Sequence, residues 1–220
     1  MAVDEGASVV AHTYTEPTVY FEYALDIARE ARRRGRKNVL VTNGYIELEP
    51  LHDLCQVVDA ANVDLKSFSD RTYQAVCKGR LAPVLRTIET MVSNGVWVEV
   101  TTLLIPGLND NDKELRKLAG FLVALDAGIP WHVSRFHPDY RMLDRPGTPP
   151  ESLRQAMDIG REAGLHFVYG GNMGPGPHES TRCPSCGTSL VQRQGFQVIR
   201  CSVTAGCCPS CETPIPGRWL

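Results

Sequence analysis

No apolar run in the 220 residues approaches the roughly 18 needed to cross a bilayer. Nothing in the sequence resembles a signal peptide either. These absences predict a cytoplasmic protein with no membrane partner. An excess of charge is lacking too: 23 basic and 25 acidic residues leave a net charge of -2, so there is no general attraction for nucleic acid or an anionic membrane. The densest basic run, Arg32-Arg33-Arg34-Gly35-Arg36-Lys37, closes a predicted helix, where cations complement the negative dipole end. Cysteine is scarce where most of the chain lies. Cys55 and Cys77 stand alone in the first 180 residues, and six more are packed between Cys183 and Cys211. A reducing compartment makes that tail a metal candidate before a disulfide one.

What is present is an alternation of apolar runs and amphipathic stretches. Strands are predicted near Ser8 to Thr13 (a buried strand, from the apolar run Ala7 to Ala11), Asn38 to Thr42, Ala61 to Leu65, Trp97 to Leu104, Trp131 to Phe136 and His166 to Tyr169. Val19, Tyr23, Ile27 and Ala31 recur every four residues. Leu115, Leu118 and Leu122 line a second helical face, and Leu153, Met157 and Ile159 begin a third. Gly35 and Gly164 follow two of these helices, in the place of a left-handed C-cap. The pattern is α/β, a mostly parallel sheet covered by helices. The run Gly170-Gly171-Asn172-Met173-Gly174-Pro175-Gly176-Pro177 continues neither helix nor strand. It predicts a domain over 1–172 and a Cys-rich tail over 173–220.

In a parallel sheet the carboxyl ends of the strands share one rim, where α/β folds carry their ligands. The predicted strands leave through Thr15-Glu16, Thr42-Asn43-Gly44, Asp64-Leu65-Lys66, Ile105-Pro106-Gly107-Leu108-Asn109-Asp110 and His137-Pro138-Asp139. Each has a plain structural explanation. Glu16 before Pro17 is a helix cap, Thr-Asn-Gly a turn, Asp-Leu-Lys a surface pair, and Pro-Gly-x-Asn-Asp a turn with an N-cap. Their recurrence at matching positions points to a polar, zwitterionic ligand whose ammonium meets a carboxylate and whose carboxylate meets a lysine.

In the tail, Cys183-Pro184-Ser185-Cys186 and Cys208-Pro209-Ser210-Cys211 are two Cys-x2-Cys knuckles 21 residues apart. Four thiolates from two such turns suit tetrahedral Zn, with a disulfide or redox pair as the alternative. Leu190-Val191 and Phe196 to Ile199 are expected to form a hairpin joining the knuckles. Cys201 and Cys207 have no spacing partner.

Five motifs, "TYTEPTVYFEYALDIA", "VTNGY", "NVDLKSF", "LLIPGLND" and "WHVSRFHPDY", follow one another from about Gly6 onward. Together they resemble the radical S-adenosylmethionine (SAM) enzyme of the AmmeMemoRadiSam system, a relative of the pyruvate formate-lyase activating enzymes. The resemblance implies a partial (β/α) barrel of parallel strands, here N-terminally truncated, with a zinc-ribbon-like appendage. It implies SAM as cofactor and a [4Fe-4S] cluster that cleaves it to a 5′-deoxyadenosyl radical.

The same resemblance assigns Thr15 and Glu16 to the SAM amine, although Tyr14 and Thr15 replace the two glycines of the family's Gly-Gly-Glu. Thr42 and Asn43 match the next motif, Asp64 and Lys66 a pair near the SAM carboxylate, and His137 a histidine of the same neighbourhood. The residue before Thr-Asn-Gly is Val41, so no monovalent cation is assigned. The family's Cys-x3-Cys-x2-Cys cluster motif is absent from these 220 residues. The expectation is therefore a later half of a split or truncated enzyme, with Memo-like and AMMECR-like companions. The alternative is a non-catalytic SAM-site remnant acting as a Zn-stabilised protein-binding module.

Overall fold

The structure is a computed structural model and describes residues 6–195 and 197–219. The chain divides into two compact units, Met1–Thr101 and Thr102–Leu220. In the first, strand β1 (Val9–His12) is followed by a 3-10 turn (Pro17–Tyr20) and helix α1 (Phe21–Arg33). Strand β2 (Lys37–Thr42), helix α2 (Leu48–Cys55) and strand β3 (Ala60–Asp64) come next. The short helix α3 (Asp70–Thr72) runs into a π turn (Tyr73–Cys77), and α4 (Leu81–Ser93) leads to β4 (Trp97–Leu104). β1 pairs with β2, β2 with β3 and β3 with β4, all parallel.

Helices α5 (Asp112–Leu125) and α6 (Pro150–Ala163) alternate with strands β5 (Trp131–Arg135) and β6 (Val168–Gly171) in the second unit. β5 and β6 are parallel. The six strands of the sheet stand in chain order, β1 to β6, as expected of successive β-α units. The tail forms its own antiparallel sheet from β7 (Thr181–Arg182), β8 (Ser189–Gln194) and β9 (Gln197–Cys201). The fold is thus α/β with a parallel, barrel-like sheet and a small Cys-rich appendage. The expected hairpin exists as β8 and β9, while Phe196, assigned to it, lies outside the described residues.

Two readings of the sequence need correction. β1 is not a buried strand: Val9 and Ala11 are exposed, because β1 ends the strand order and pairs only with β2. The four-residue stripe assigned to α1 is displaced as well. Val19 and Tyr23 are 78% and 68% exposed, and the buried face is Ala24, Leu25, Ala28 and Ala31. A strict spacing of four drifts around a helix of 3.6 residues per turn, and Val19 precedes the helix on the 3-10 turn.

The core of the first unit is pinned by a buried amide. Asn38 donates to the carbonyls of Ala28 and Val57 at 2.9 and 3.0 Å, joining α1, β2 and the loop before β3. In the second unit α6 lies close on β5. A Cβ at Gly160 would sit 2.8 Å from Cε3 of the fully buried Trp131, whose indole N–H donates to Thr102 Oγ1 at 3.0 Å. Leu115, Leu118 and Leu122 are buried as their spacing predicts, and so are Leu153, Met157 and Ile159. Gly164 caps α6 at φ 110°.

Candidate functional site

The exits of β1 and β2 meet at Glu16. Its Oε1 accepts from Thr42 Oγ1 at 2.6 Å and from the Thr18 amide at 3.3 Å, and its Oε2 accepts from the Asn43 amide at 2.7 Å. Cap and rim are therefore one residue: the Thr18 contact is the N-cap of the 3-10 turn, and the other two tie Glu16 to the neighbouring strand. An ionised carboxylate offers about four lone-pair positions. Three are filled by donors that orient the group, and one is left for an external donor such as an ammonium. Glu16 is half-buried and Thr42 fully buried. Thr15 is exposed immediately before Glu16, and its amide donates to the Thr13 carbonyl at 3.1 Å.

The turn after Thr42 has no freedom. Its hydroxyl oxygen accepts from the Gly44 amide at 3.1 Å, and Asn43 Oδ1 accepts from the Tyr45 amide at 2.8 Å. Gly44 sits at φ 71°, where a Cβ would lie 2.8 Å from Val63 Cγ1. Only glycine satisfies both the backbone angle and the space.

At the exit of β3, Asp64 and Lys66 form an ion pair with side chains 31% and 41% exposed. A ligand carboxylate at Lys66 would share the ammonium with Asp64. The Lys66 amide donates to the Tyr73 hydroxyl at 3.1 Å. Burial pushes the Tyr73 phenol well above its usual range, so it stays neutral. Tyr73 opens the π turn, a device that often marks functional sites, and nothing in the spacing of "NVDLKSF" reveals its contact. His137 belongs to the second unit, where it is exposed two residues after the end of β5.

Two further strand-exit details differ from the sequence reading. Asn109 is a buried clamp rather than a cap: its Oδ1 accepts from the Ile105 amide at 2.7 Å and its Nδ2 donates to the Leu103 carbonyl at 2.9 Å. The cap of α5 is Asn111, which accepts from the Glu114 amide at 3.0 Å.

In the tail, the sulfurs of Cys183, Cys186, Cys208 and Cys211 all lie within 4.8 Å of one another. The Cys183–Cys211 and Cys186–Cys208 separations are 3.6 Å. A tetrahedron with Zn–S near 2.3 Å has S···S edges of about 3.8 Å, so the donor set fits zinc. All eight cysteines are free thiols.

The two knuckles are built alike. The Cys183 and Cys208 amides donate to the carbonyls of Thr188 and Thr213 at 2.8 and 2.9 Å. Cys186 and Cys211 contact the hydroxyls of the same threonines at 3.2 Å. Hydrogen bonding to Thr213 holds the Cys211 thiol down to about 6, whereas burial pushes Cys183 up to about 11. The repeated Cys-Pro-Ser-Cys-x-Thr was the available signal for the threonines.

The residues present do not fit a [4Fe-4S] cluster with an open iron, which needs three converging thiolates. Only Cys55 and Cys77 lie outside the tail's Cys-rich segment, and burial raises both thiols, keeping them protonated.

Comparison with known proteins gives the family. An uncharacterized protein of Methanocaldococcus jannaschii is 44% identical over 94% of this chain and 62% of its own length. The benzylsuccinate synthase activating enzyme of Thauera aromatica is 26% identical over 72% of this chain and 53% of its own. The chain thus spans less than two thirds of the length of these relatives. The crystal structure of a domain of pyruvate-formate lyase-activating enzyme from Bacteroides vulgatus superposes with a TM-score of 0.63 at 20% identity, covering 74% of this chain and 98% of that one. The family model of the Radical SAM superfamily matches residues 1–122, which include β1 to β4 and with them the Glu16 and Lys66 groups. More than half of the 220 residues are matched, and the chain belongs to the radical SAM superfamily.

Proposed function

We propose that the chain, on its own, is a SAM-binding module with a zinc-stabilised tail. Radical chemistry belongs to it only together with three cluster thiolates from another segment or chain. The observation that carries this reading is the Glu16 carboxylate, held by Thr42 and the Asn43 amide with one lone-pair position open. Bound SAM would supply the methionine ammonium to that position and a sulfonium whose reductive cleavage gives a carbon radical. Glu16 orients the amine, Lys66 shares its charge between Asp64 and the methionine carboxylate, and Thr15 and Asn43 flank the amine. The assignment of His137 to SAM rests on its sequence motif alone.

An activating enzyme is the second reading. It is favoured by the relatives, several of which are activating enzymes of lyases and synthases. Within it, the AmmeMemoRadiSam assignment and the Memo-like and AMMECR-like companions rest on the sequence motifs alone, and a cytoplasmic setting on the lack of a signal-like or long apolar run. The domain division at 172/173 belongs to the same reading.

The test is titration calorimetry of SAM into the zinc-loaded chain. Glu16→Ala and Lys66→Ala are each expected to weaken binding by about 1.5 to 3 kcal/mol, the worth of a hydrogen bond to a charged group. Parent binding with both variants unaltered would overturn the assignment.

A further inference from the structure

A cavity of about 580 Å³ lies along β6, walled by α6 on one side and the tail on the other. α6 contributes Arg154, Asp158 and Arg161, spaced so that all three fall on one stripe of the helix. The segment entering β6 contributes His166, and the tail contributes His178 and Arg182. Met157, Phe167 and Val168, all buried, supply an apolar floor. The methionine-binding residues of the first unit are not part of it.

Its charge is unbalanced. Three guanidiniums face one carboxylate, Asp158, and that carboxylate is bonded to Arg161 at 2.9 Å. Arg182 spends one of its five donors on the Gly187 carbonyl at 3.2 Å. Arg154 makes no hydrogen bond or ion pair with a described residue. The cavity opens toward a second recess of about 450 Å³ that shares Pro177, Ser180 and Arg182 and adds Arg193.

A chamber of this volume is in the range of small-molecule sites. Guanidiniums match the geometry of phosphate oxygens, and an apolar floor takes up a hydrophobic body. We propose that this cavity binds a small organic phosphate, with its anion at Arg154 and Arg182 and its apolar part over Met157 and Phe167. Asp158 tunes the site by opposing the anion and occupying Arg161.

The experiment uses the full zinc-loaded chain and calorimetric titration with 1-naphthyl phosphate and 1-naphthol. The phosphate is expected to saturate in the millimolar range or below, and the alcohol to bind at least about tenfold more weakly. Arg154→Gln, at an exposed side chain without partners, should weaken the phosphate about tenfold. Asp158→Asn should tighten it, and saturating SAM should leave it unchanged, which separates this site from the Glu16 site. No saturation at millimolar phosphate would overturn the proposal, as would equal affinity in the parent and both variants. Binding of an acidic peptide without binding of the aryl phosphate would overturn it in favour of a protein partner.

Discussion

Gly44 sets the position of the Asn43 amide, and through it the orientation of Glu16. Gly44→Ala would force a left-handed backbone on a residue with a Cβ and push that Cβ against Val63. We expect a loss of about 1 to 3 kcal/mol in urea unfolding, with SAM affinity falling further than stability alone explains. Unchanged affinity in a folded Gly44→Ala protein would show that the turn does not position the carboxylate. Glu16, Thr42 and Asn43 were legible in the sequence because strand exits and a Thr-Asn-Gly turn leave local signatures. The hydroxyl of Tyr73 was not, since its partner is the Lys66 amide seven residues earlier, on the far side of α3. The buried clamp of Asn109 was hidden in a stretch whose plain reading was a turn with an N-cap, because both roles draw on the same residue type.

At the scale of elements, the two knuckles share a hydrogen-bond scheme but differ at the residue after the second cysteine. Gly187 has φ 73° and Glu212 has φ 58°, so the second knuckle places a side chain where glycine is at ease.

The thiols also differ. A metal-free Cys211, with a folded value near 6 against the ordinary 9, is ionised at neutral pH. Its contribution to stability is full above pH 9 and is lost as pH falls toward and through 6. Cys183, raised to about 11, is still protonated at neutral pH and must release its proton when metal binds. Zinc titration of the apo chain at pH 7.5 in buffers of different ionisation enthalpy should therefore show fewer than four protons released. Thr213→Val should raise that number by removing the bond that favours the Cys211 thiolate. An unchanged count would refute the role given to Thr213.

The face of α5 was legible because Leu115, Leu118 and Leu122 keep true helical spacing, as Leu153 and Met157 do in α6, whereas the stripe assigned to α1 followed a period of four and is exposed at Val19 and Tyr23 and buried only at Ala31. α2 escaped notice because it is eight residues long and contains Pro50.

For the molecule as a whole, the order of six strands and five motifs was readable along the chain, since parallel β-α units repeat one pattern. The division at Thr101 and Thr102, inside β4, was not. No composition break marks it. The cysteine inventory leads to a prediction at this scale. Anaerobic reconstitution of the 220-residue chain with iron and sulfide is expected to give no stoichiometric cluster and no 5′-deoxyadenosine from SAM and reductant. Adding a segment with Cys-x3-Cys-x2-Cys should enable both. Reductant-dependent 5′-deoxyadenosine from the chain alone would demand a ligand set absent from this account.

Phe167 belongs to two structures at once. Its carbonyl accepts from the Trp131 amide at the start of the β5–β6 ladder, and its ring packs with Cys183, Leu190, Val191 and Cys208. Tyr169 repeats the arrangement, its hydroxyl bonded to Thr181 Oγ1 at 2.8 Å. A metal held by the four cysteines would therefore be mechanically in series with the last strand of the sheet. Chelation would loosen the latch first, and amide exchange in β6 would quicken before that in β5, making zinc occupancy a reporter of how firmly the end of the sheet is fastened.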